Sequence, residues 1–382
     1  QFITSSEAAM YFDDLIVLAH ESKMQAAARA VGRIFSNWRI PRQEEKFLSE
    51  NANGLRGTSR GVILGHMYDF KKGTIGISAD RITEILEEMQ LFMTSGKQKR
   101  LKEWESTIGV LAWVKVVVPQ IGPAMSNSYS LIRAWSQAGG IGQRKMTEKI
   151  EKDWVEITRL IKKWNGEMSF IRSKWPESPN RDTFGVEPEL YIEPSADASG
   201  SIGWGGVCEF GYVRGLWTEE EMGLKIHIKE GLALWAVIRA FGKELKGRKM
   251  KLKQFAMRSD NKVLIAGINK GRSKFEDMNI VIRMIFDELL ASQLSLSTWR
   301  IKAQTQVKVL FIGTKENVMA DALSRDDLET FHSYTDKNKL TAFPRISTHR
   351  QLRKEDMKIW KSKVHEILKI THMQNTQTKQ QQ

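Results

Sequence analysis

The first part of the chain alternates short apolar runs with turn residues. Runs at residues 8–12 and 15–19 predict two strands, and the acidic pair Asp13 and Asp14 lies at the turn between them. A helical pattern follows over residues 21–38, and strand-like runs appear near residues 61–68 and 73–77. The pattern therefore predicts a hairpin with two carboxylates at its tip, a helix and further strands.

The pattern becomes helical after Ser78. Apolar residues recur at spacings of three and four in two stripes, which are Ile82, Ile85, Leu86, Met89 and Met93, then Ile150, Trp154, Ile157, Ile161 and Trp164. Breaks are predicted at Pro119, Pro123 and Gly139. We expect a mainly helical region over residues 79–190, in which the tryptophans belong to a packed core rather than to a base-stacking surface.

A Pro-rich connector at residues 175–194 precedes a second kind of pattern. Strand-like runs alternate with helical stretches, at residues 190–196, 203–210, 211–217, 229–245, 250–258 and 275–292. This alternation predicts a domain over residues 191–326. The basic tail at 327–382 offers one apolar helical face and a Gln-rich end that we expect to be disordered. The first part of the chain is predicted to span residues 1–78. The fold class predicted for the whole chain is a multidomain combination of α+β and α/β.

Composition indicates a nucleic-acid partner. The 382 residues carry 59 Lys and Arg against 45 Asp and Glu, a net charge of +14, which favours a polyanion. The single Cys208 excludes an intrachain disulfide framework and a multi-cysteine zinc site and fits a reducing compartment. We therefore expect an intracellular protein, cytoplasmic or nuclear.

We expect no membrane anchor and no signal peptide in this sequence. The most apolar stretch, residues 108–118, contains a lysine and is well short of the roughly 20 residues that a bilayer-spanning helix needs. The opening lacks a basic region followed by an apolar one. Because the sequence begins with Gln1 rather than Met, we interpret it as a fragment of a longer protein.

Four acidic residues in the second half are candidate metal ligands. They occupy four separate predicted elements and are Asp197, Glu230, Asp260 and Asp321. If they converge, their mutual repulsion has to be offset by cations, and oxygen ligands suit Mg²⁺ or Mn²⁺. Two such ions about 4 Å apart would serve phosphodiester hydrolysis. Any one of these acids taken alone is more simply a solvated or helix-capping residue.

Residues 191–325 contain the segments ADASGSIGWGGV, IHIKEGLALWAVIRA, RSDNKVLIAGIN and ENVMADALSR. In these segments the region resembles the ribonuclease H domain of retroelement polymerases. This resemblance implies an α/β domain with a central mixed sheet, in which Asp197, Glu230, Asp260 and Asp321 are catalytic and hold two Mg²⁺ ions. The chain departs from many relatives at Phe311, where they carry a histidine, so any role of that histidine in turnover is in question here.

The segment Tyr11 to Asp14 resembles the catalytic hairpin of a reverse transcriptase. The residues after it resemble the end of the palm, including a primer-grip strand pair with Leu64 and Gly65, then a helical thumb and connection. This implies that Asp13 is a metal ligand and Asp14 its catalytic neighbour. A further metal-binding Asp of that family lies upstream, so the polymerase site is expected to be incomplete in this chain. The details favour the DIRS-like group of retroelements, with the Ty3/gypsy-like group next.

Basic residues supply candidate contacts to an RNA–DNA hybrid. One cluster contains Lys97, Lys99, Arg100 and Lys102, and another includes Lys249 and Lys251. Such contacts to phosphates give affinity with little sequence preference, although each cluster is equally well read as a solvated face. The resulting hypothesis is a retroelement polymerase fragment that cleaves the RNA strand of hybrids. The alternative is a non-catalytic nucleic-acid-binding relic or a host-adopted scaffold.

Overall fold

The fold is a mixture of helices and sheets in two compact units. A computed structural model describes residues 6–11, 14–19, 21–37, 50–51, 54–55, 60–96, 98–164, 167–169, 192–247, 254–296, 305–338, 340 and 345–381. The units are Gln1–Ile75 and Gly76–Gln382. The boundaries predicted at residues 190 and 326 lie inside the second unit. Within the described part of the chain, no helix combines the length and apolar character needed to cross a membrane.

The first unit contains small antiparallel sheets and one helix. Its elements are β1 (Ser6–Tyr11), β2 (Asp14–Ala19), α1 (Met24–Asn37), β3 (Glu50–Asn51), β4 (Gly54–Leu55), β5 (Arg60–Ile63), β6 (His66–Asp69) and β7 (Thr74–Gly76). β1 and β2 form the predicted hairpin, in which Tyr11 is opposite Asp14.

The strand-like run predicted at residues 61–68 is a hairpin of two strands. β5 and β6 pair antiparallel, with Ile63 opposite His66. Leu64 and Gly65 form the two-residue turn, with φ of 49° and 83°. Two successive positive φ values match a hairpin turn whose twist follows that of the strands, and Gly65 tolerates this conformation at no steric cost. Periodicity did not place the turn because the continuous apolar run at residues 62–64 extends into it.

A helical layer opens the second unit. Its elements are α2 (Ala79–Thr94), β8 (Lys99–Arg100), α3 (Leu101–Val114), α4 (Ser126–Gln137), β9 (Gln143–Arg144), α5 (Glu148–Lys163) and β10 (Glu167–Ser169). Ser78 caps α2, where its hydroxyl accepts a hydrogen bond from the backbone N–H of Arg81. Pro119 and Pro123 open short 3₁₀ turns between α3 and α4, as their fixed φ and missing N–H require. Over its described residues this layer is therefore mainly helical, as the apolar spacing predicted.

Aromatic side chains form the core of this layer. Trp104 and Trp154 are fully buried, and their ring centroids lie 5.9 Å apart. Phe92 packs on both rings. The indole N–H of Trp154 donates to the buried hydroxyl of Ser128 at 3.0 Å. Trp154 is thus a core residue, as its helical spacing predicted.

A six-stranded sheet and its helices form the rest of the second unit. In chain order the elements are β11 (Ser195–Ala198), β12 (Gly203–Cys208), β13 (Gly211–Leu216), α6 (Glu219–Met222), α7 (Ile226–Gly247), β14 (Gln254–Ser259), α8 (Lys262–Lys270), α9 (Glu276–Ala291), β15 (Leu294–Leu296), β16 (Thr305–Phe311), α10 (Val318–Ser324), α11 (Leu328–Lys337) and α12 (Lys354–Gln381). The strand order is β13-β12-β11-β14-β16-β15. β11 to β13 are antiparallel, whereas β14, β15 and β16 are parallel, so the sheet is mixed.

Two glycines of β12 allow helices to pack closely on both faces of the sheet. A Cβ added at Gly205 would lie 2.3 Å from the Cβ of Leu323 in α10, and one added at Gly206 would lie 2.0 Å from Val237 in α7. Successive side chains of a strand point to opposite faces. α7 and α10 therefore cover opposite faces of the sheet, and both approach the backbone near β11.

The last helix, α12, is part of the core of the sheet domain. Trp360 is 1% exposed, and its ring packs against those of Trp204, Trp217 and Trp235. Its indole N–H donates to the carboxylate of Glu221. The apolar face predicted in the tail thus packs inward. The helix continues to Gln381, although the Gln-rich composition of this end predicted disorder.

Candidate metal centre

Asp197 lies in β11, which is buried along its whole length. The strand is hydrogen-bonded to β12 on one side and to β14 on the other, so Asp197 has only 4% of its surface exposed. Burial raises the pKa of this carboxyl to about 6, with further contributions from the charges of Asp260 and Asp321. A hydrogen bond from the Ser324 hydroxyl, at 2.7 Å, acts in the opposite direction.

Glu230 projects toward Asp197 from the second turn of α7. It is 4% exposed, and the backbone N–H of Ala198 donates to its carboxylate. Burial raises its pKa to about 9, and the charges of Asp197 and Asp260 add to this effect. Among the described residues, its Oε2 atom is buried without a hydrogen-bond partner. A buried acceptor in this state is costly unless something outside the protein satisfies it.

Asp260 follows directly after β14, at the end of the strand adjacent to β11. The next residue, Asn261, caps α8 by accepting hydrogen bonds from the backbone N–H groups of Val263 and Leu264. This cap turns the chain sharply and leaves Asp260 at the sheet edge. The hydroxyl of Thr314 donates to its Oδ2 at 3.0 Å and holds the side chain in place.

These three carboxylates form one cluster, which we call the acidic trio: Asp197, Glu230 and Asp260. One oxygen of each lies within 4.8 Å of the corresponding oxygens of the other two. A bound cation would offset the repulsion among these carboxylates. It would also satisfy Glu230 Oε2, which has no hydrogen-bond partner among the described residues. Carboxylate oxygens are the ligands that hard divalent ions prefer. The acidic trio could therefore hold a metal ion.

Asp321 borders the acidic trio but does not belong to it. It lies in α10, and its carboxylate accepts hydrogen bonds from the guanidinium of Arg325, one turn later, at 2.9 and 3.0 Å. Its charge nevertheless raises the pKa of both Asp197 and Glu230. Of the four acids predicted to converge, three therefore lie together. The fourth, Asp321, is paired with Arg325 beside them.

Two residues that the sequence analysis did not single out attach α10 to the site. The buried amide of Asn317 donates to the carbonyl oxygen of Ala196 at 3.3 Å. Ser324 is fully buried and donates to Asp197. Both belong to the segment that ends in Ala-Asp-Ala-Leu-Ser-Arg, which the sequence analysis includes. Their hydrogen-bond partners lie more than a hundred residues earlier, so the sequence did not indicate these contacts.

A buried lysine fixes the loop that follows Asp197. Lys229 is 1% exposed, and its ammonium donates to the carbonyl oxygens of Gly200 at 2.5 Å and Met222 at 2.9 Å. It also lies 5.3 Å from the ring centroid of Trp217. Burial lowers its pKa, whereas Glu221 raises it. Lys229 thus anchors the loop next to the acidic trio, although sequence position alone would have placed a lysine on the surface.

Several predicted site residues lie outside the described part of the chain. These are Asp13, Lys97, Lys249 and Lys251. For Asp14, only the backbone is described, as the first residue of β2. Their predicted roles remain predictions.

The other predicted nucleic-acid contacts are placed at surfaces. Leu64 and Gly65 form the exposed β5–β6 turn. Lys99 pairs with Glu103 at 4.0 Å and lies over the ring of Phe92, and Arg100 is the residue before α3. β8 pairs with β9, which brings Arg144 next to them. The structure thus places basic side chains from two segments together, and a role in binding nucleic acid stays a prediction.

No protein-family model matches the chain, and no curated protein matches its sequence.

Proposed function

We propose that residues 191–326 form a ribonuclease H that hydrolyses the RNA strand of RNA–DNA hybrids with Mg²⁺ at the acidic trio. The observation that carries the proposal is the convergence of Asp197, Glu230 and Asp260 within 4.8 Å at one edge of the mixed sheet. These residues come from three separate elements, and their coincidence in space is what the resemblance to retroelement ribonucleases H implies. The proposed parent protein is a retroelement polymerase.

The donor set fits a hard cation. The acidic trio offers only carboxylate oxygens, and one of these, Glu230 Oε2, is buried without a partner in the described part of the chain. Divalent ions held by these carboxylates would activate water and stabilise the leaving oxygen of a phosphodiester. We assign Asp197, Glu230 and Asp260 as ligands, and Asp321 as a fourth acid that would reach the site by releasing Arg325.

The charge of the protein fits a nucleic-acid substrate. The net charge is +14, although the acidic trio itself is locally negative. Substrate phosphates must therefore be attracted by basic residues elsewhere on the surface and bridged to the trio by cations. An A-like hybrid would be selected by groove shape and 2′-hydroxyl contacts rather than by base sequence.

The decisive experiment is cleavage of a labelled RNA–DNA hybrid by the purified chain with and without Mg²⁺. We expect Mg²⁺-dependent cutting of the RNA strand. Asp260→Asn should abolish cutting and leave hybrid binding largely intact, because it removes ligand charge and little volume. Asp336→Asn is the matched control, since Asp336 is an exposed residue of α11 in the same unit, and this variant should cut like the wild type.

The same experiment separates the proposal from its alternative. Hybrid binding without any Mg²⁺-dependent cutting, at several Mg²⁺ and Mn²⁺ concentrations, would indicate a nucleic-acid-binding relic or scaffold that has lost turnover. Cutting that survives Asp260→Asn would show that the trio is not the catalytic centre.

A further inference from the structure

Two positive charges from distant parts of the chain meet where the helical layer contacts the sheet domain. Lys115 follows directly after α3, and Arg272 lies in the loop between α8 and α9. Lys115 is partly buried. Burial lowers the pKa of its ammonium, and the charge of Arg272 lowers it further. The two cations therefore repel each other.

The backbone geometry explains how these cations are brought together. A Cβ added at Gly122 would lie 2.8 Å from the carbonyl oxygen of Gly271 and 3.6 Å from the Cδ atom of Lys115. Gly271 has a φ of 70° and ends α8, and Arg272 is the next residue. The aliphatic stem of Lys115 therefore lies against Gly122, beside the backbone that carries Arg272.

The loop that carries Arg272 is fixed by hydrogen bonds from two helices. The buried side chain of Asn279, in α9, accepts from the backbone N–H of Ser273 at 2.7 Å and donates to its carbonyl oxygen at 3.0 Å. The hydroxyl of Ser126, in α4, donates to the same carbonyl oxygen at 3.3 Å. Contacts that do not involve the side chain of Arg272 thus set its position against the helical layer.

The guanidinium of Arg272 lies against an aromatic ring. Its central carbon is 5.3 Å from the ring centroid of Tyr129, in α4. This contact leaves the N–H donors at the edge of the guanidinium open to an acceptor. Among the described residues, neither Arg272 nor Lys115 has an ion-pair partner or a side-chain hydrogen bond. We call Lys115, Tyr129 and Arg272 the cationic junction, and an anion bound there would offset the repulsion between its two cations.

The surroundings of the cationic junction favour a polyanion. Lys270 and Lys274 are exposed and flank Arg272 at alternate positions of the chain. The phosphates of nucleic acid repeat along each strand, so a strand bound at the junction presents further anions to these lysines. The nine residues of α8, about 13 Å of helix, separate Arg272 from Asp260. The junction is therefore a second site, distinct from the acidic trio.

We propose that the cationic junction binds a backbone phosphate of nucleic acid, with the Arg272 guanidinium and the Lys115 ammonium donating to the same phosphate group. The choice of nucleic acid rests on the proposed function, whereas the preference for a phosphate rests on the two cations themselves. Guanidinium and ammonium groups both donate to phosphate oxygens, and such contacts carry no sequence information. The junction therefore adds affinity away from the acidic trio.

Binding of a labelled RNA–DNA hybrid to the full chain in EDTA tests this contact without turnover. Arg272→Gln should weaken binding about tenfold, the size expected for loss of a hydrogen bond to a charged group. The double variant with Lys115→Gln should also lower the slope of log affinity against log salt by about one. Lys337→Gln is the matched control, because it removes the charge of an exposed lysine in α11 and should bind like the wild type. Equal affinities for Arg272→Gln and Lys337→Gln would overturn the inference.

Stability gives a readout that a structural role would not produce. Lys115→Gln removes the repulsion between the two cations, so its melting temperature without nucleic acid should be higher than that of the wild type, although it binds the hybrid more weakly. A lysine that only supports the fold would lose stability when replaced. A lower melting temperature for Lys115→Gln would therefore contradict the proposal.

Inorganic phosphate distinguishes nucleic acid from a small anion. If it raises the melting temperature of the wild type but not of Arg272→Gln, while both bind the hybrid equally, the junction is a small-anion site and the inference is wrong. If the wild type binds the hybrid through the junction but does not cut it with Mg²⁺, the nuclease proposal fails and the contact stands. If the wild type cuts and the double variant binds the hybrid as tightly as the wild type, the contact fails alone.

Discussion

Ser324 donates its hydroxyl to Asp197 at 2.7 Å, although 127 positions separate the two residues. Both are buried, Ser324 in α10 and Asp197 in β11. The hydrogen bond lowers the pKa of a carboxyl whose burial raises it to about 6. Ser324 therefore favours the ionised form of Asp197, which is the form that binds a cation.

Replacing Ser324 by Ala should weaken metal binding. A hydrogen bond to an ionised group contributes about 1.5–3 kcal/mol, so the Mg²⁺ concentration for half-maximal cutting at pH 7 should rise about tenfold or more. A Mg²⁺ titration of hybrid cleavage measures this shift, and Mg²⁺-dependent stabilisation against heat gives a readout that does not need turnover. Ser128→Ala is the control, since it removes a buried hydroxyl that binds Trp154 in the helical layer. Identical Mg²⁺ titrations for Ser324→Ala and Ser128→Ala would contradict this role.

The raised carboxyl pKa values predict how stability depends on pH without metal. Asp197 and Glu230 have pKa values of about 6 and about 9, above the ordinary 3.8 and 4.5. The folded state therefore binds more protons than the unfolded state, and the free energy of unfolding should fall as pH rises from about 4 to about 9. Thermal melting in EDTA across this range measures the effect.

Glu230→Gln isolates the contribution of the carboxyl with the larger shift. The variant cannot lose a proton at this position, so its melting temperature should fall less between pH 5 and pH 9 than that of the wild type. Mg²⁺ should raise the melting temperature of the wild type more at pH 8 than at pH 6, because binding displaces the proton from Glu230. Parallel pH profiles for the two proteins would show that Glu230 is ordinary in the metal-free state.

Trp360 should be essential for the stability of the sheet domain. Trp360→Ala deletes a ring that packs against three other tryptophans and should cost about 3–5 kcal/mol of the free energy of unfolding. The adjacent Ile359 is 41% exposed, and Ile359→Ala should change stability by less than about 0.5 kcal/mol. Urea denaturation of both variants measures the difference. A mild Trp360→Ala phenotype would mean that α12 contributes little to the domain.

The sequence predicted local elements better than turns and long-range contacts. The stripe that contains Trp154 predicted a buried helical face because residues three and four apart share one side of a helix. Periodicity did not place the Leu64–Gly65 turn because the apolar run at residues 62–64 extends into it. The tail helix was expected from the spacing around Trp360, but its docking partners lie on three elements far away in sequence.

The candidate site shows the same limit. Asp197, Glu230 and Asp260 were identified from their positions at predicted strand and helix ends, and the structure brings these three together. The pairing of Asp321 with Arg325 was not foreseen, although the two are one helical turn apart. The contacts of Ser324, Thr314 and Lys229 depend on how α10, the loop after β16 and the loop after β11 fold over the sheet, which local patterns do not encode.

A buried ion pair should hold the helical layer against the sheet domain. Asp153 of α5 accepts from the guanidinium of Arg283 in α9 at 2.8 Å and from the amide of Asn127 at 2.6 Å. Its side chain is 4% exposed, and burial raises its pKa in spite of these partners. Asp153→Ala leaves the arginine charge without its partner in a desolvated setting, so we expect a loss of about 3–5 kcal/mol in the free energy of unfolding.

The exposed pair Lys152–Glu148 lies on the same helix and provides the contrast. Both of its side chains are at least three-quarters exposed, and Glu148→Ala should cost no more than about 1 kcal/mol. Urea denaturation followed by tryptophan fluorescence measures both variants. Asp153→Asn should recover part of the loss by keeping a hydrogen bond to Arg283. Equal costs for Asp153→Ala and Glu148→Ala would show that the buried pair is not what joins the two layers.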